Sequence, residues 1–329
     1  MLGIQIVGGV LGIQPGLRTV IPAPLYHSAP NAYAIFSLML GGFVVIMPRF
    51  DPEELLRLIE EHKVTRVQTV PTMFVRLLKL PEEIRKKYDT SSLDYVVHAA
   101  APCPPDVKKA MIDWWGPVIY EYYGSTEMGT ITLANSEDAL KYPGTVGKAI
   151  PEATIRIYDE DGKELGPNEI GTVYARLQAN RDFEYIGAPE KRAAIEREGL
   201  ITCGDVGYLN EEGYLFLCDR AADMIITGGV NIYPAEIESV LITHDGVKDC
   251  AVFGIPHDEL GEQVMAVVEP REDAQLDADE IKAWLGERIA HYKVPRTVEF
   301  RNDLPREDSG KLFKRKLREP YWEKAGRKI

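Results

Sequence analysis

The first 122 residues alternate between short apolar runs and amphipathic helical runs. In the run 53–62, which Asp51-Pro52 precedes as a cap, Leu55, Leu58 and Ile59 share one helical face. Buried strands are predicted at 18–25, 43–47, 66–70, 93–101 and 118–122. Strands that alternate with helices pair in parallel, and the helices cover the sheet. This part is therefore predicted to be an α/β unit with a helix-covered, mostly parallel sheet.

Ligands of such a sheet bind beyond the carboxyl ends of its strands. Three short segments follow predicted strands at that edge: Tyr26-His27-Ser28, Ala99-Ala100-Ala101-Pro102 and Tyr123-Gly124-Ser125-Thr126-Glu127. We expect them to be loops and to form the candidate site of this part of the chain.

The strand–helix rhythm changes at about residue 144. Predicted strands at 154–158, 171–176 and 214–218, with acidic or glycine turns, favour a small antiparallel barrel or sheet. Helices at 234–243 and 277–290 and strands near 247–254 and 262–269 then indicate a compact α+β module. The predicted parts are 1–143, an α/β subdomain; 144–219, a β-rich subdomain; and 220–329, a mobile C-terminal α+β lid domain.

Composition excludes some classes of function. The net charge of −13 and the pI of about 5.1 argue against a nucleic acid partner. The apolar run Met1–Ile13 is too short to span a bilayer, and we expect it to belong to a core, with no integral membrane segment in the chain. The cysteines show no metal-type spacing, which is typical of reduced thiols in a cytoplasmic protein.

The stretch 202–236 contains an acid and an arginine between strand-like runs. Asp205 follows Gly204, a hairpin loop is predicted at 210–213, and the next strand delivers Asp219-Arg220 at its end. A carboxylate can accept both hydroxyls of a ribose, and a guanidinium can hold a phosphate or ribose oxygen. The alternative interpretation is that Asp205 and Arg220 are surface charges flanking a hairpin.

Gly228-Gly229 stands downstream of that hairpin. Two glycines allow positive φ angles and a close approach of backbone to a ligand. Pro234 then begins a predicted helix with acids near its positive end. The alternative is a plain linker.

The segment Tyr123–Glu127 joins residue types that suit a nucleotide. Tyr123 can lie against a flat base, Gly124 lets the backbone come close, and Thr126 can donate to a phosphate. Glu127 is a hard oxygen ligand for Mg²⁺ that phosphates also hold. The alternative is a polar loop with a capping Ser or Thr.

Lys311 and His27 complete the candidates. Lys311, on the glycine-flexed Ser309-Gly310-Lys311 segment, could offset charge on a transferring carboxylate or phosphate. The alternative is a solvated basic face, because Lys314, Arg315, Lys316 and Arg318 follow. His27 is suggestive alone, since a single histidine is more often a satisfied core residue.

Together and in this order, these strings resemble the adenylate-forming superfamily of acyl-CoA synthetases, luciferases and peptide-synthetase adenylation domains. The resemblance covers essentially the whole chain: Pro24–His27, Ala100–Pro102, Tyr123–Glu127, Gly144–Gly147, Thr202–Asp205, Asp219-Arg220, Gly228–Glu236, Tyr292–Arg296 and Ser309–Lys311. The string from Gly228 to Glu238 is most similar to fatty-acid or bile-acid CoA ligases.

The resemblance implies a nucleotide site for ATP and AMP. Asp205 and Arg220 hold the ribose, with Arg220 also near phosphate. Tyr123, with Gly124 beside it, and the loop containing Ala100, Ala101 and Pro102 flank the adenine.

The resemblance also implies the reacting groups. Thr126 meets the α-phosphate, Glu127 binds Mg²⁺, and His27 borders the acyl carboxylate. Lys311 bridges the carboxylate and the α-phosphate during adenylation. The small domain then swings and presents Gly228-Gly229 to the pantetheine of CoA.

Three departures from the family pattern accompany the match. The phosphate-binding loop is expected upstream of residue 1, with about the N-terminal third of a full-length enzyme. Ala222 occupies a hinge position that is usually Asp or Lys, and Cys203 replaces the usual Thr near the ribose acid.

The resemblance implies an acid:CoA ligase, the fragment of an acyl-CoA synthetase, that uses ATP, CoA and a carboxylic acid. Two alternatives remain at this stage: a catalytically inactive AMP- or acyl-binding module, and an adenylating enzyme that loads a carrier protein. The oligomeric state stays open, with a homodimer among the candidates.

Overall fold

The computed structural model describes residues 8–180, 182–272, 274–306 and 312–325. The chain divides into two compact units. Unit 1 contains Met1–Cys203 and Gly207–Leu217, and unit 2 contains Gly204–Val206 and Cys218–Ile329. The three-part division predicted from sequence, with bounds at 143/144 and 219/220, stays a prediction. Lys311 and Met1–Val7 lie outside the described residues, whereas Val10 and Ile13 are buried, as expected for a core segment.

Unit 1 begins with a parallel sheet whose strands alternate with helices. The strands are β1 (Arg18–Ile21), β2 (Phe43–Ile46), β3 (Arg66–Thr69), β4 (Tyr95–His98) and β5 (Ile119–Ser125). Their order is β5-β4-β3-β1-β2, and all these pairs are parallel. The helices are α1 (Ser28–Met39), α2 (Pro52–His62), α3 (Pro71–Leu78), α4 (Glu82–Lys87) and α5 (Pro105–Trp115). The predicted α/β fold class is confirmed.

Helices pack on both faces of this sheet because successive strand residues point to opposite sides. Val20 and Val96 join a core with residues of α2, α3 and α5. Their neighbours Ile21 and Val97 join a separate core with Tyr33 of α1. The predicted cap is also present, since the Asp51 carboxylate accepts a hydrogen bond from the Glu54 N–H at 2.9 Å.

Antiparallel strands continue the sheet beyond β5. They are β6 (Gly129–Ala134), β7 (Thr145–Ala149), β8 (Ala153–Tyr158), β9 (Gly171–Leu177), β10 (Glu196–Arg197), β11 (Leu200–Ile201), β12 (Asp205–Leu209) and β13 (Tyr214–Arg220), with helices α6 (Ser136–Lys141) and α7 (Pro189–Ala194). The order from β5 is β6-β7-β13-β12-β9-β11-β10, with β8 on β9. The strands expected as a small barrel or sheet are therefore hydrogen-bonded into one 13-stranded sheet.

Unit 2 contains a second sheet of five strands. Its elements are β14 (Ile225–Thr227), β15 (Val230–Ile232), α8 (Pro234–Leu241), β16 (Val247–His257), β17 (Gly261–Pro270), α9 (Ala278–Gly286), a 3₁₀ turn (His291–Lys293), β18 (Thr297–Phe300) and α10 (Lys314–Lys324). The order is β15-β14-β17-β16, with β18 parallel to β17. Residues of α8 and α9 join one core with Val252, whereas Leu317 of α10 joins Phe253 in another. The predicted α+β module is present.

Within the described ranges, no helix is both long enough and apolar enough to cross a bilayer.

Candidate active site

The carboxyl edge of the parallel sheet places two candidate segments side by side. In the β4–β5 pair, His98 is opposite Glu121, so the Ala99–Pro102 segment begins beside the part of β5 that contains Tyr123. The segment containing His27 follows β1, which β3 separates from β4. Because β1, β3, β4 and β5 are parallel, the segments that follow β1 and β4 lie at the same edge of the sheet as the end of β5.

The loop after β4 contains a strained residue. Ala100 has φ +76°, a left-handed conformation that non-glycine residues rarely adopt. Ala100, Ala101 and Pro102 are exposed, whereas Ala99 is buried and fixes the start of the loop. A strained residue of this kind costs on the order of 1–3 kcal/mol and is found most often at functional sites.

The prediction that Tyr123–Glu127 is a loop was wrong for its first half. Tyr123, Gly124 and Ser125 belong to β5, which turns back through Thr126 into a strand, β6, that sequence reasoning missed. A bulge between Tyr123 and Gly124 brings the two backbones close together. A Cβ added at Gly124 would lie 2.1 Å from the carbonyl oxygen of Gly129, so only glycine fits there.

The Glu127 side chain is half-buried beside two polar side chains from distant parts of unit 1. Its Oε1 accepts a hydrogen bond from the Tyr185 hydroxyl at 3.1 Å, and its Oε2 lies 3.9 Å from the Cys203 Sγ. The same Sγ lies 3.1 Å from the Ser125 Oγ. Burial and the bond to Glu127 raise the pKa of Tyr185. Sequence reasoning did not identify Tyr185 as a candidate, and it did not predict the contacts of Cys203 with Ser125 and Glu127.

Across the described ranges, no three His, Cys, Asp or Glu side chains are arranged to hold a metal ion. Glu127 is therefore a single carboxylate, which fits Mg²⁺ only if phosphate oxygens and water complete the coordination.

His27 occupies the N-cap position of α1, with φ −81° and ψ 145°, but its side chain does not cap the helix. Its Nε2 is buried and has no hydrogen-bond partner among the residues that the structure describes. The ring centroid lies 4.5 Å from that of Tyr26. Because buried polar atoms are almost always paired, this nitrogen fits a site that a polar ligand completes.

In unit 2, Asp205 and Arg220 lie close together, as the sequence predicts. The Arg220 Nε is 3.5 Å from the Asp205 Oδ1, and the Ala221 N–H donates to the Gly204 carbonyl at 2.8 Å. The arginine side chain is largely exposed. The Asp205 side chain is only 15% exposed.

Asp219 has a structural role that sequence reasoning missed. Its Oδ1 accepts from the Arg220 N–H and its Oδ2 from the Ala235 N–H, each at 2.8 Å. Ala235 is in the first turn of α8, so Asp219 caps that helix from a distant strand. Burial raises the pKa of Asp219, and Lys314 opposes the shift.

Gly228 and Gly229 form the exposed turn between β14 and β15. Thr227 pairs with Val230, and the two glycines have φ +55° and +82°. A two-residue hairpin with both φ values positive is the type I′ turn, which explains both glycines locally. The strand β15 follows this turn, and the helix begins at Pro234, where the sequence predicts it.

The segment 307–311, with Lys311, lies outside the described residues, but both flanks are held. Arg306 pairs with Leu312 in an isolated bridge and forms an ion pair with Asp249. After the segment, the Lys314 ammonium lies 2.8 Å from the Glu238 carboxylate.

Sequence reasoning also missed a charged cluster formed by residues of β4, α5 and β5. Lys108 of α5 donates to Glu121 of β5 and, at 3.3 Å, to the Thr145 carbonyl of β7. His98 Nδ1 is 3.7 Å from Glu121 Oε1, and burial together with Lys108 holds the pKa of His98 well below its usual range. The signal was present, because helical periodicity puts Lys108 on the face that contains Met111.

The family model described as AMP-binding enzyme matches residues 3–180, and that of the AMP-binding enzyme C-terminal domain matches residues 236–311. The long-chain-fatty-acid–CoA ligase of Bacillus subtilis is 37% identical over 299 residues, covering 90% of this chain and 53% of the relative. The feruloyl-CoA synthase of an Amycolatopsis species is 36% identical over 307 residues, covering 92% and 62%.

A solved structure is also similar to this chain. The crystal structure of ATP-bound MatB from Rhodopseudomonas palustris superposes with a TM-score of 0.84 at 33% identity, covering 97% of this chain and 63% of that one. The chain thus spans 53% and 62% of the length of the two curated relatives. Since the family model matches more than half of its residues, the chain belongs to the AMP-binding enzyme family, the adenylate-forming enzymes that include the acyl-CoA synthetases.

Proposed function

We propose that the chain carries the nucleotide and acyl chemistry of an ATP-dependent acid:CoA ligase. The reaction would join a fatty-acid or bile-acid-like carboxylate to AMP and then transfer the acyl group to CoA. The observation that carries the proposal is the β4–β5 register, which brings the strained Ala100 loop and the Tyr123 strand end to one edge of the sheet. Family membership supplies the reaction class.

In this proposal, Asp205 and Arg220 bind the ribose of ATP and AMP. The Arg220 Nε lies 3.5 Å from Asp205, whose side chain is 15% exposed, whereas that of Arg220 is 53% exposed. The Asp205 carboxylate would accept hydrogen bonds from the two vicinal hydroxyls of the ribose. Tyr123, Gly124 and the loop of Ala100, Ala101 and Pro102 would flank the adenine.

Thr126 and Glu127 would act on the phosphates. Their turn between β5 and β6 is short and is fixed at both ends by strand pairing, which favours precise placement. Thr126 would donate to the α-phosphate. Glu127 would supply one oxygen to Mg²⁺, whose other ligands would come from phosphates and water.

The acyl and CoA steps involve the remaining candidates. The buried His27 Nε2, which has no hydrogen-bond partner within the described ranges, would pair with the substrate carboxylate. Lys311 would neutralise charge between carboxylate and α-phosphate during adenylation. The exposed Gly228-Gly229 turn would meet the pantetheine of CoA. The cytoplasmic location is part of the same proposal.

The direct test incubates the chain with ATP, Mg²⁺, CoA and a panel of fatty and bile acids. We expect AMP and an acyl-CoA, both read by mass spectrometry, and loss of both with Glu127→Gln. The exposed Glu137→Gln is the matched control and should keep full activity. Absence of AMP release with every acid would contradict the ligase proposal.

A second candidate is a module that binds AMP or an acyl group without catalysis. Calorimetry with AMP, combined with an isotope exchange assay between pyrophosphate and ATP, separates the two: binding without exchange supports the module. Competition between CoA and a carrier protein as acceptor tests the third possibility, a carrier-loading enzyme.

A further inference from the structure

Residues at the end of β9 and between β9 and α7 reach back to the turn that carries Glu127. The Leu177 N–H donates to the Met128 carbonyl at 3.3 Å, and the Asn180 side-chain amide donates to the Glu127 carbonyl at 3.2 Å. The Tyr185 hydroxyl donates to Oε1 of the Glu127 side chain at 3.1 Å. Glu127 is therefore held twice, because Asn180 binds its backbone and Tyr185 binds its carboxylate.

The residues that precede Tyr185 are in turn anchored to α7. Arg192 of that helix is buried, and its Nη2 donates to the Asp182 carboxylate at 2.9 Å. The same guanidinium lies over the Phe183 ring, 4.8 Å from the centroid. The rings of Phe183 and Tyr185 meet edge to face, with centroids 5.3 Å apart. Such contacts fix the orientation of aromatic rings, so packing as well as the hydrogen bond positions the Tyr185 hydroxyl.

The two oxygens of the Glu127 carboxylate have different surroundings. Oε1 accepts the hydrogen bond from Tyr185, whereas Oε2 lies 3.9 Å from the Sγ of Cys203, and a thiol is a weak donor. A glutamate side chain that is only half-buried can adopt several rotamers, and a hydrogen bond to one oxygen restricts them. Carboxylates that bind metal ions are usually oriented by such outer partners, whose loss typically costs about 10–100-fold in metal affinity or activity.

We propose that Tyr185 is a positioning residue for Glu127 in the binding of ATP with Mg²⁺. Tyr185 holds Oε1 and leaves Oε2 as the oxygen that Glu127 offers to the metal, while phosphates and water supply the other ligands. The inference deepens the proposed function and rests on it, because it takes Glu127 as the residue that meets the metal. It adds a residue that acts only through Glu127.

The test measures the ATP affinity of each variant by calorimetric titration, in excess Mg²⁺ and in EDTA, without an acid substrate. The ratio of the two affinities gives the contribution of the metal. Glu127→Gln should lower this ratio, and Tyr185→Phe should lower it by about tenfold, the lower end of the range for outer partners. The affinity of Tyr185→Phe in EDTA should equal that of the unaltered chain, which also shows that the nucleotide site remains folded.

Tyr88→Phe is the matched control. The Tyr88 hydroxyl donates to Glu53 Oε1 at 2.8 Å within the same unit, so this substitution removes a tyrosine–glutamate hydrogen bond of the same kind outside the candidate site. It should change neither affinity. A double variant adds a second check: in the Glu127→Gln background, Tyr185→Phe should have no further effect on the ratio, because the two residues act as one unit.

Four results would overturn this inference alone. They are an unchanged ratio in Tyr185→Phe when Glu127→Gln lowers it, an equal loss of affinity in EDTA, a further fall in the double variant, and the same fall in Tyr88→Phe. Failure of the proposed function is recognised separately, from the unaltered chain. If that chain binds ATP equally well with Mg²⁺ and with EDTA, or does not bind it, the role of Glu127 is wrong and the role of Tyr185 falls with it.

Discussion

A lysine–glutamate pair lies inside each of the two units, and the pairs differ in how far water reaches them. In unit 1, the side chains of Lys108 and Glu121 are each 5% exposed. In unit 2, those of Lys314 and Glu238 are 21% and 20% exposed. The pair in unit 1 joins α5 to β5 beneath the candidate nucleotide loops, and the pair in unit 2 joins α10 to α8.

The pairs also differ in how completely their carboxylates are satisfied. Lys314 lies 2.8 and 2.9 Å from the two oxygens of Glu238, which also accepts from the Val252 N–H at 2.7 Å. Glu121 has Lys108 and, at 3.7 Å, His98. Burial acts to lower the pKa of Lys108, but Glu121 raises it above its usual value, so this lysine stays charged. Removing one member of the ion pair should therefore lower the free energy of unfolding more in unit 1, where less water can reach the remaining charge.

The largest expected effect is that of Lys108→Met. The substitution leaves Glu121 without its cation in a site that water hardly reaches, and such breaks cost about 3–5 kcal/mol. Hydrogen exchange of unit 1 under increasing urea measures the loss. The neighbouring Lys109 is the matched control, because its ion pair with Asp113 is exposed, and Lys109→Met should change stability by less than about 1 kcal/mol.

The double variant Lys108→Met, Glu121→Leu sharpens this result. Replacing both charges with apolar groups is often close to neutral, so most of the lost stability should return. If the double variant is as unstable as Lys108→Met alone, packing of the lysine stem and not its charge accounts for the loss.

Lys314→Met should have a smaller effect, about 1.5–3 kcal/mol, since a charged hydrogen bond is lost from a site that retains some water. The loss should appear in exchange of unit 2 peptides. Arg315→Met, whose ion pair with Glu319 is exposed, is the control and should be nearly silent. An effect of Lys314→Met larger than that of Lys108→Met would reverse the comparison.

The smallest of the stability effects is a pH dependence in unit 1. The pKa of His98 is depressed by burial and by Lys108, so the folded state stays neutral while the unfolded chain takes a proton below about pH 6.5. The folded state is therefore fully stabilised by the neutral His98 above about pH 6.5, and this stabilisation is lost as the pH falls. Between pH 6.5 and 5 the loss is at most about 2 kcal/mol. His98→Leu should flatten this part of the pH profile of unfolding.

The α/β part of the fold could be predicted because its signals are local. The Asp51 cap, the helical face of Leu55 and Ile59, and the loop 210–213 follow from residues within a few positions of one another. The parallel order then predicts which segments share the carboxyl edge. The β5–β6 hairpin was missed because the polar residues at 125–127 indicate a loop, whereas the strand pairing of Gly124 and Ser125 with Thr130 and Gly129 decides their conformation.

Contacts between distant residues could not be predicted in the same way. Tyr185 meets Glu127, and Cys203 meets Ser125, across 58 and 78 positions. The stretch that carries Tyr185 has no clear periodicity, so no local pattern places it. The partner of Lys108 depends on the register of β5 against β4, although the position of the lysine on an apolar helix face does predict that it has a buried partner.

The account depends most directly on nucleotide binding by Asp205. Calorimetric titration with AMP is the decisive measurement, made on the unaltered chain, Asp205→Asn and the exposed control Glu211→Gln from the same hairpin. We predict saturable binding that Asp205→Asn weakens by about tenfold or more and that Glu211→Gln retains. No binding of AMP to the unaltered chain, or equal affinity in Asp205→Asn, would contradict the account.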